Sequence, residues 1–362
     1  MKLHRSRLSF AALWYAAAAL LLGANAAAPA AEPDAFHKGK TAAPAAEPDA
    51  FYKGKTVSIY IGFAAGGSYD YFGRLLARHL GKHLPGNPTV IAEAMPGAGS
   101  FTAANYLYAR AVRDGTVLGI VSQTVAIEEA LGTPSVQYKA AKFNWIGRAA
   151  PVNEVSFTFH TSNTKTIQDA MARETTMATT GAGSPSETYL KLLNSVAATK
   201  FKLVGPYPAS NDSMLAMERG EVDGAFTSYN TLKVAHQDWL RDKKVNILVQ
   251  YGEHSAELPD VSFAVELAKT DEDRALMAFY VSSEQIGRSF LAPPEIPPDR
   301  VMILRRAYDE TMQDPQFLSE IEKSRSEFSP LSGEKLQKLV AAASEVSPAI
   351  VARIRQILGI AR

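Results

Sequence analysis

Val57-Ser-Ile-Tyr-Ile-Gly-Phe63 and the Ala64-Ala-Gly-Gly-Ser-Tyr-Asp70 that follows it decide the architecture of this chain. An apolar, β-branched run ends in paired glycines; Ser68 then reads as a helix N-cap, with an acid two residues on. The pattern is strand, tight turn and helix, and it leaves the unpaired N–H groups of a helix N-terminus at the mouth of a sheet. Such a mouth is suited to a small anion.

Strand and helix patterns alternate outward from this unit, which predicts an α/β architecture with mostly parallel sheets. In the first set, residues 57–63, 89–93 and 117–122 read as strands, with helices over 68–82, 100–109 and 126–131. In the second, strands over 155–160, 176–180, 201–204, 224–227 and 245–250 alternate with helices over 166–173, 185–195, 211–219 and 231–240. Another apolar stretch at 288–291 runs into Ala292-Pro-Pro-Glu-Ile-Pro-Pro298. From Asp299 the chain reads as amphipathic helix, broken at Pro315, Pro330 and Pro348.

The N-terminus sets the compartment. Lys2, Arg5 and Arg7 precede an apolar run over 8–22, and Ala24-Asn25-Ala26 supplies a small-x-small cleavage signal. This is the pattern of a secretory signal peptide over 1–26, too short for a membrane span. Residues 27–41 and 42–56 are a tandem duplication differing only at His37 and Tyr52. The second copy leads into the first strand, so 27–52 is expected to be an Ala/Pro-rich linker, disordered over about 27–48. There is no cysteine, hence neither disulfide staple nor thiol chemistry. The formal net charge of +1 falls to −2 once the three basic residues of the signal are removed. That balance, without basic blocks, argues against nucleic acid or a membrane surface as partner. A length of 362 residues favours two domains.

Three glycine-rich turns follow strands: 64–70, 96–100 and 180–184. Any one of them could be a plain connection, because glycine supplies positive φ at little cost. The first and third also carry hydroxyls at a helix start, Ser68 in one and Thr180, Ser184 and Ser186 in the other; the second reads as packing. Enzyme signatures fail. Gly-Lys-Thr at 39–41 and 54–56 precedes a strand and lacks the earlier glycine of a phosphate loop, and no G-x-S-x-G is present. His79 and His83 read as a solvated helix face, with no third metal ligand nearby. Asp70 complements a helix dipole and reads as loop support or a water-mediated ligand contact. Phe63, Tyr69 and Tyr229 either line a cleft or pack.

Phe63-Ala-Ala-Gly-Gly-Ser-Tyr-Asp70, Met95-Pro-Gly-Ala-Gly99 and Arg113-Asp-Gly-Thr-Val-Leu118 resemble the extracytoplasmic solute receptors of tripartite tricarboxylate transporters, the Bug-type receptors. Thr180-Gly-Ala-Gly-Ser-Pro-Ser186, Gly205-Pro-Tyr207, Arg219-Gly-Glu-Val-Asp-Gly224 and Phe290-Leu-Ala-Pro-Pro294 follow in that family's order. The resemblance implies a type II periplasmic binding protein: two α/β lobes joined by hinge strands, with the ligand between them. It implies a carboxylate held by backbone amides, hydroxyls and waters, and neither the 63–70 nor the 180–186 loop contains Arg or Lys. Glu187-Thr188 stand where family members often carry histidine, and Ser228-Tyr229-Asn230 replaces a usual small-residue version.

The expected division is lobe 1 over 53–152 plus 284–362 and lobe 2 over 153–283. The expected ligand contacts are Ala65, Gly66, Gly67, Ser68 and Asp70, with Ser122, Gln123 and Thr124, from lobe 1. From lobe 2 they are Thr180, Gly181, Ala182, Gly183, Ser184 and Ser186, with Ser228 and Tyr229. The resulting expectation is a monomeric periplasmic receptor, without catalytic residues, metal or cofactor. It delivers a small organic acid to a membrane permease; a signalling sensor or a two-lobed periplasmic enzyme is the alternative.

Overall fold

A computed structural model of the chain describes residues 51–343 and 345–360. The signal peptide and most of the duplicated linker lie outside the described residues. Twelve strands occur among those described: β1 (Thr56–Ile61), β2 (Thr89–Ala94), β3 (Val117–Ile120), β4 (Asn144–Arg148), β5 (Glu154–Phe159), β6 (Thr175–Ala178), β7 (Phe201–Val204), β8 (Gly224–Ser228), β9 (Val245–Gln250), β10 (Ser262–Phe263), β11 (Ser289–Ala292) and β12 (Leu331–Ser332). They form two six-stranded sheets, ordered β12-β4-β11-β3-β1-β2 and β10-β9-β5-β8-β6-β7.

Both sheets are mixed. β1 pairs in parallel with β2 and β3, whereas β11 runs antiparallel to β3 and β4. In the second sheet β6 is parallel to β7 and β8, and β5 is antiparallel to β8 and β9. The antiparallel strands are those adjoining the crossings between sheets, a feature that strand–helix alternation does not reveal. β4 (NWIGR) also escapes the sequence pattern, being too short and too fully covered to show a period.

Val57, Ile59 and Ile61 alternate along β1 and are fully buried, giving the first core its base. Tyr52 joins that core with its hydroxyl donating to Gly115 O at 3.2 Å, so the second linker copy differs from the first at a residue the fold uses. His79 and His83 hold the Ser68–Leu80 helix and the turn after it to the Pro315–Ser324 helix. His79 Nε2 lies 2.7 Å from Glu320 Oε1, and His83 Nε2 lies 3.0 Å from Asp314 Oδ2. The last helix, Pro348–Leu358, packs on the Pro185–Val196 and Asp271–Val281 helices and puts Ile354 into the second sheet's core.

The Arg219-Gly-Glu-Val-Asp-Gly224 motif is explained by folding needs. Asp223 accepts the Thr176 N–H at 2.8 Å, the Thr176 hydroxyl at 2.6 Å and the Ser162 hydroxyl at 3.1 Å, tying the start of β8 to β6. Bonds to a charged acceptor contribute about 1.5–3 kcal/mol each, and orphaning their donors adds a cost. Asp223→Ala is therefore expected to lower unfolding stability by about 2–3 kcal/mol, read from urea denaturation; an unchanged midpoint would refute that role.

The chain crosses between the sheets twice, after β4 and before β11. The two crossings run side by side: Val152 N–H donates to Glu284 O at 2.9 Å, and Arg288 N–H to Ala150 O at 2.8 Å. Gly287 has φ +58°, and an added Cβ would sit 2.1 Å from Ala150 O, so only glycine lets the segments lie this close. Paired segments of this kind form a natural hinge.

Candidate ligand-binding cleft

The 62–70 turn folds as its glycines require, with one shift from expectation. Gly67, not Ser68, takes the cap position, and Ser68 opens the first helical turn. The Ser68 hydroxyl is thereby free of capping and lies 3.5 Å from Ser228 Oγ, on the other lobe. Asp70 faces back into its own turn: Oδ2 accepts the Gly66 N–H at 3.1 Å, and Oδ1 pairs with Arg74 Nε at 2.7 Å. It supports the loop.

The 180–186 turn is a closed set of hydroxyls. Ser184 caps the Pro185–Val196 helix and donates to Gly181 O at 2.6 Å. Ser186 Oγ accepts the Thr180 N–H at 3.0 Å and lies 2.9 Å from Ser184 Oγ. Glu187 is spent on Lys191, 2.6 Å away along the same helix.

Between the turns lies a cleft of about 850 Å³, part of it open to solvent. Its walls combine Gly67 and Ser68 with Thr180, Ser186 and Ser228. Pro96, Gly97, Ala98, Gly99 and Ser100 line it too, although the sequence reads that turn as packing. Residues 97–100 all have positive φ, including Ala98 at +47° and Ser100 at +84°. Non-glycine residues there cost about 1–2 kcal/mol each, strain that folds tend to retain at functional positions. The Ser100 hydroxyl anchors this run by accepting the Ser122 N–H at 3.1 Å.

The lobes touch across the cleft. A Cβ built on Gly99 would lie 2.9 Å from Gly183 C and O, and one on Gly66 would lie 2.5 Å from Asn211 Nδ2.

Of the remaining residues expected at the ligand, Ala65, Gly66 and Asp70 lie in the first turn but outside the cleft lining, Ala65 and Gly66 being exposed. Gly181, Ala182, Gly183 and Ser184 lie in the second turn, also outside the lining, with Gly183 against Gly99 of the other lobe. Ser122, Gln123 and Thr124 are almost wholly buried beneath the floor. Tyr229 turns away to a separate cavity shared with Lys233, Glu253 and Arg325.

The family profile of the tripartite tricarboxylate transporter receptors matches residues 73–355. This chain belongs to that family. Three solved structures show how the receptor's fold compares. The periplasmic binding protein BugD is 19% identical, with TM-score 0.68, covering 84% of this chain and 98% of its own. MatC from Rhodopseudomonas palustris, solved with malate, is 20% identical with TM-score 0.63, covering 84% and 99%. An R. palustris protein solved with adipate is 17% identical with TM-score 0.65, covering 85% and 98%. At such identities the likeness establishes the fold. No protein of curated function matches the sequence. Among the receptor's described residues, no helix is long and apolar enough to cross a membrane.

Two residues in the receptor's cleft carry charge and went unread in the sequence, Glu154 and Arg288. Glu154 opens β5, and Arg288 immediately precedes β11, both strands being buried throughout. A lone charge at the start of a buried, otherwise uncharged strand is the signal that could have found them. Arg288 Nη2 lies 3.9 Å from Glu154 Oε1, its guanidinium stacks 4.0 Å above the Tyr69 ring, and its Nη1 has no partner. It also borders a smaller cavity behind the floor, with Asn230 and Glu327.

Below the floor, Gln123 ties the lobes. Its Nε2 donates to Glu154 Oε1 and Glu284 Oε1, each at 3.3 Å, and its Oε1 accepts the Tyr69 hydroxyl. Tyr189, from the second lobe, donates to Glu284 Oε1 at 2.7 Å. Burial raises the pKa of both carboxyls; the charge of Glu154 pushes Glu284 further, up to about 8, while Arg288 opposes the rise chiefly at Glu154. Glu284 therefore holds its proton at neutral pH, and Glu154 is the carboxyl that stands beside Arg288.

Proposed function

We propose that this protein is a periplasmic receptor that closes on a small carboxylic acid and delivers it to the permease of a tripartite-type transporter. The observation that carries the reading is the meeting of two helix-start turns, from separate sheets, at one cleft. Gly67 and Ser68 offer groups from one side; Thr180, Ser186 and Ser228 offer them from the other. Helix N-termini stabilise an anion by about 0.3–1 kcal/mol each, rising to about 2 when partly buried. Both turns reach one small ligand only in the shut form, so the ligand binds that form better and shifts the population toward it. The bodies that move are the expected lobes over 53–152 with 284–362 and over 153–283, about the paired crossings. The last helix, Pro348–Leu358, is the exception: it packs on the second sheet's helices and moves with that lobe. Malate and adipate in the two related structures support a carboxylate as cargo.

The test is a thermal-shift and calorimetric series of mono-, di- and aromatic carboxylic acids. An acid present at 100 times its Kd is expected to stabilise the receptor by about 2.7 kcal/mol. No stabilisation by any acid class would overturn the reading.

A further inference from the structure

We propose that Arg288 and Glu154 form a two-part selector on the cleft floor, restricting the cargo to carboxylic acids with a hydrogen-bond donor on the adjacent carbon, the 2-hydroxy and 2-amino acids. This rests on the acid-capturing function proposed above.

Arg288 is only 3% exposed, yet its Nη1 lacks a partner. A guanidinium carries five donors, and leaving them unpaired away from water is costly unless an acceptor arrives. Its place is set beforehand: the plane lies on Tyr69, Tyr69 stacks on Phe63 at 4.4 Å, and the Tyr69 hydroxyl is held by Gln123. A group so fixed at the wall of a ligand cleft is organised for a planar anion, and a carboxylate fits the fork.

Glu154 narrows the choice. It lies in the same wall, 5% exposed, and Gln123 holds one of its oxygens. An ionised carboxylate accepts hydrogen bonds only, so it repels a second anionic oxygen and favours a hydroxyl or ammonium. The 3.9 Å between Arg288 Nη2 and Glu154 Oε1 exceeds hydrogen-bond length. Side by side, the two groups present a donor and an acceptor to two neighbouring ligand atoms, an acceptor facing Arg288 and a donor facing Glu154. Adjacent carboxylate and 2-hydroxyl or 2-ammonium groups have that order. Glu284, carrying its proton, adds no further negative charge beneath.

The experiment is calorimetric titration of the full receptor with matched acids: succinate against each enantiomer of 2-hydroxysuccinate and 2-aminosuccinate, and adipate against 2-hydroxyadipate. One substituted enantiomer is expected to bind at least about 10-fold tighter than its unsubstituted parent. In Glu154→Gln the ratio of 2-amino to parent-acid affinity is expected to fall at least 10-fold. In Arg288→Gln all the acids are expected to weaken together. Equal binding of parent and substituted acids by the unmodified receptor overturns the selector and leaves acid capture standing. Failure of every acid overturns both. The comparison within the unmodified receptor needs no variant to fold.

Discussion

Gly99→Val is expected to weaken ligand binding about 100-fold or more while both sheets stay folded. Gly99 has φ +62°, and a Cβ there would meet Gly183 C and O at 2.9 Å and Ser184 N at 3.1 Å. All three are backbone atoms of the opposite lobe, so no flexible side chain can yield. The left-handed conformation costs a branched residue about 1–2 kcal/mol in either state. The clash between lobes arises only when they meet, so it raises the free energy of the shut form selectively. A ligand that binds that form loses apparent affinity in proportion to the lost population. Calorimetry with any acid that stabilises the receptor reads the loss. Small-angle scattering should show no compaction when ligand is added to the variant. Unchanged affinity would show that the 96–100 turn does not meet the 180–186 turn in the liganded protein.

The second large effect is a pH dependence set by Glu284. In the fold its pKa stands near 8 against an ordinary 4.5, through burial and the neighbouring Glu154 charge. Between those values the native protein holds a proton that the unfolded chain has released. Unfolding then releases a proton, so stability falls as pH rises through this window, by up to about 1.4 kcal/mol per pH unit. Below the window both states are protonated and the contribution is fully present; above it the loss is complete. Glu128 acts in the same direction, because burial raises its pKa to about 7 despite bonds from Thr133 and Tyr280. Glu284→Gln keeps an oxygen to accept from Gln123 and Tyr189 but cannot ionise. Denaturant unfolding from pH 5 to 9 should therefore give a shallower decline for the variant, its gain over wild type growing up to about pH 8 and levelling off above it. Parallel profiles would mean that Glu284 is ionised in the fold and that Gln123 bridges two charged carboxylates.

Local chemistry made much of this protein readable in advance. The β1 alternation, the glycines at 62, 66 and 67, and the Ser184-Pro185 helix start each act within a few residues, where φ preferences, burial period and capping operate. Their order along the chain was enough for an α/β fold and for two of the cleft's turns, while the two-lobed arrangement came from the family resemblance. The placing of Ser68 failed by one position, since a glycine at the cap needs no side chain and leaves the serine free.

What only the tertiary structure decided came from the crossings. Arg288 and Glu154 are 134 positions apart in number and stand beside each other because the chain passes from sheet to sheet twice, and no local period records that meeting. The packed fold also sets Gln123 beneath the floor, Tyr229 at a separate cavity and the 96–100 turn in the wall. Sequence alone specified the elements and the uncharged turns, because those depend on neighbours along the chain. The charged floor depends on neighbours in space, and only the packed fold selects them.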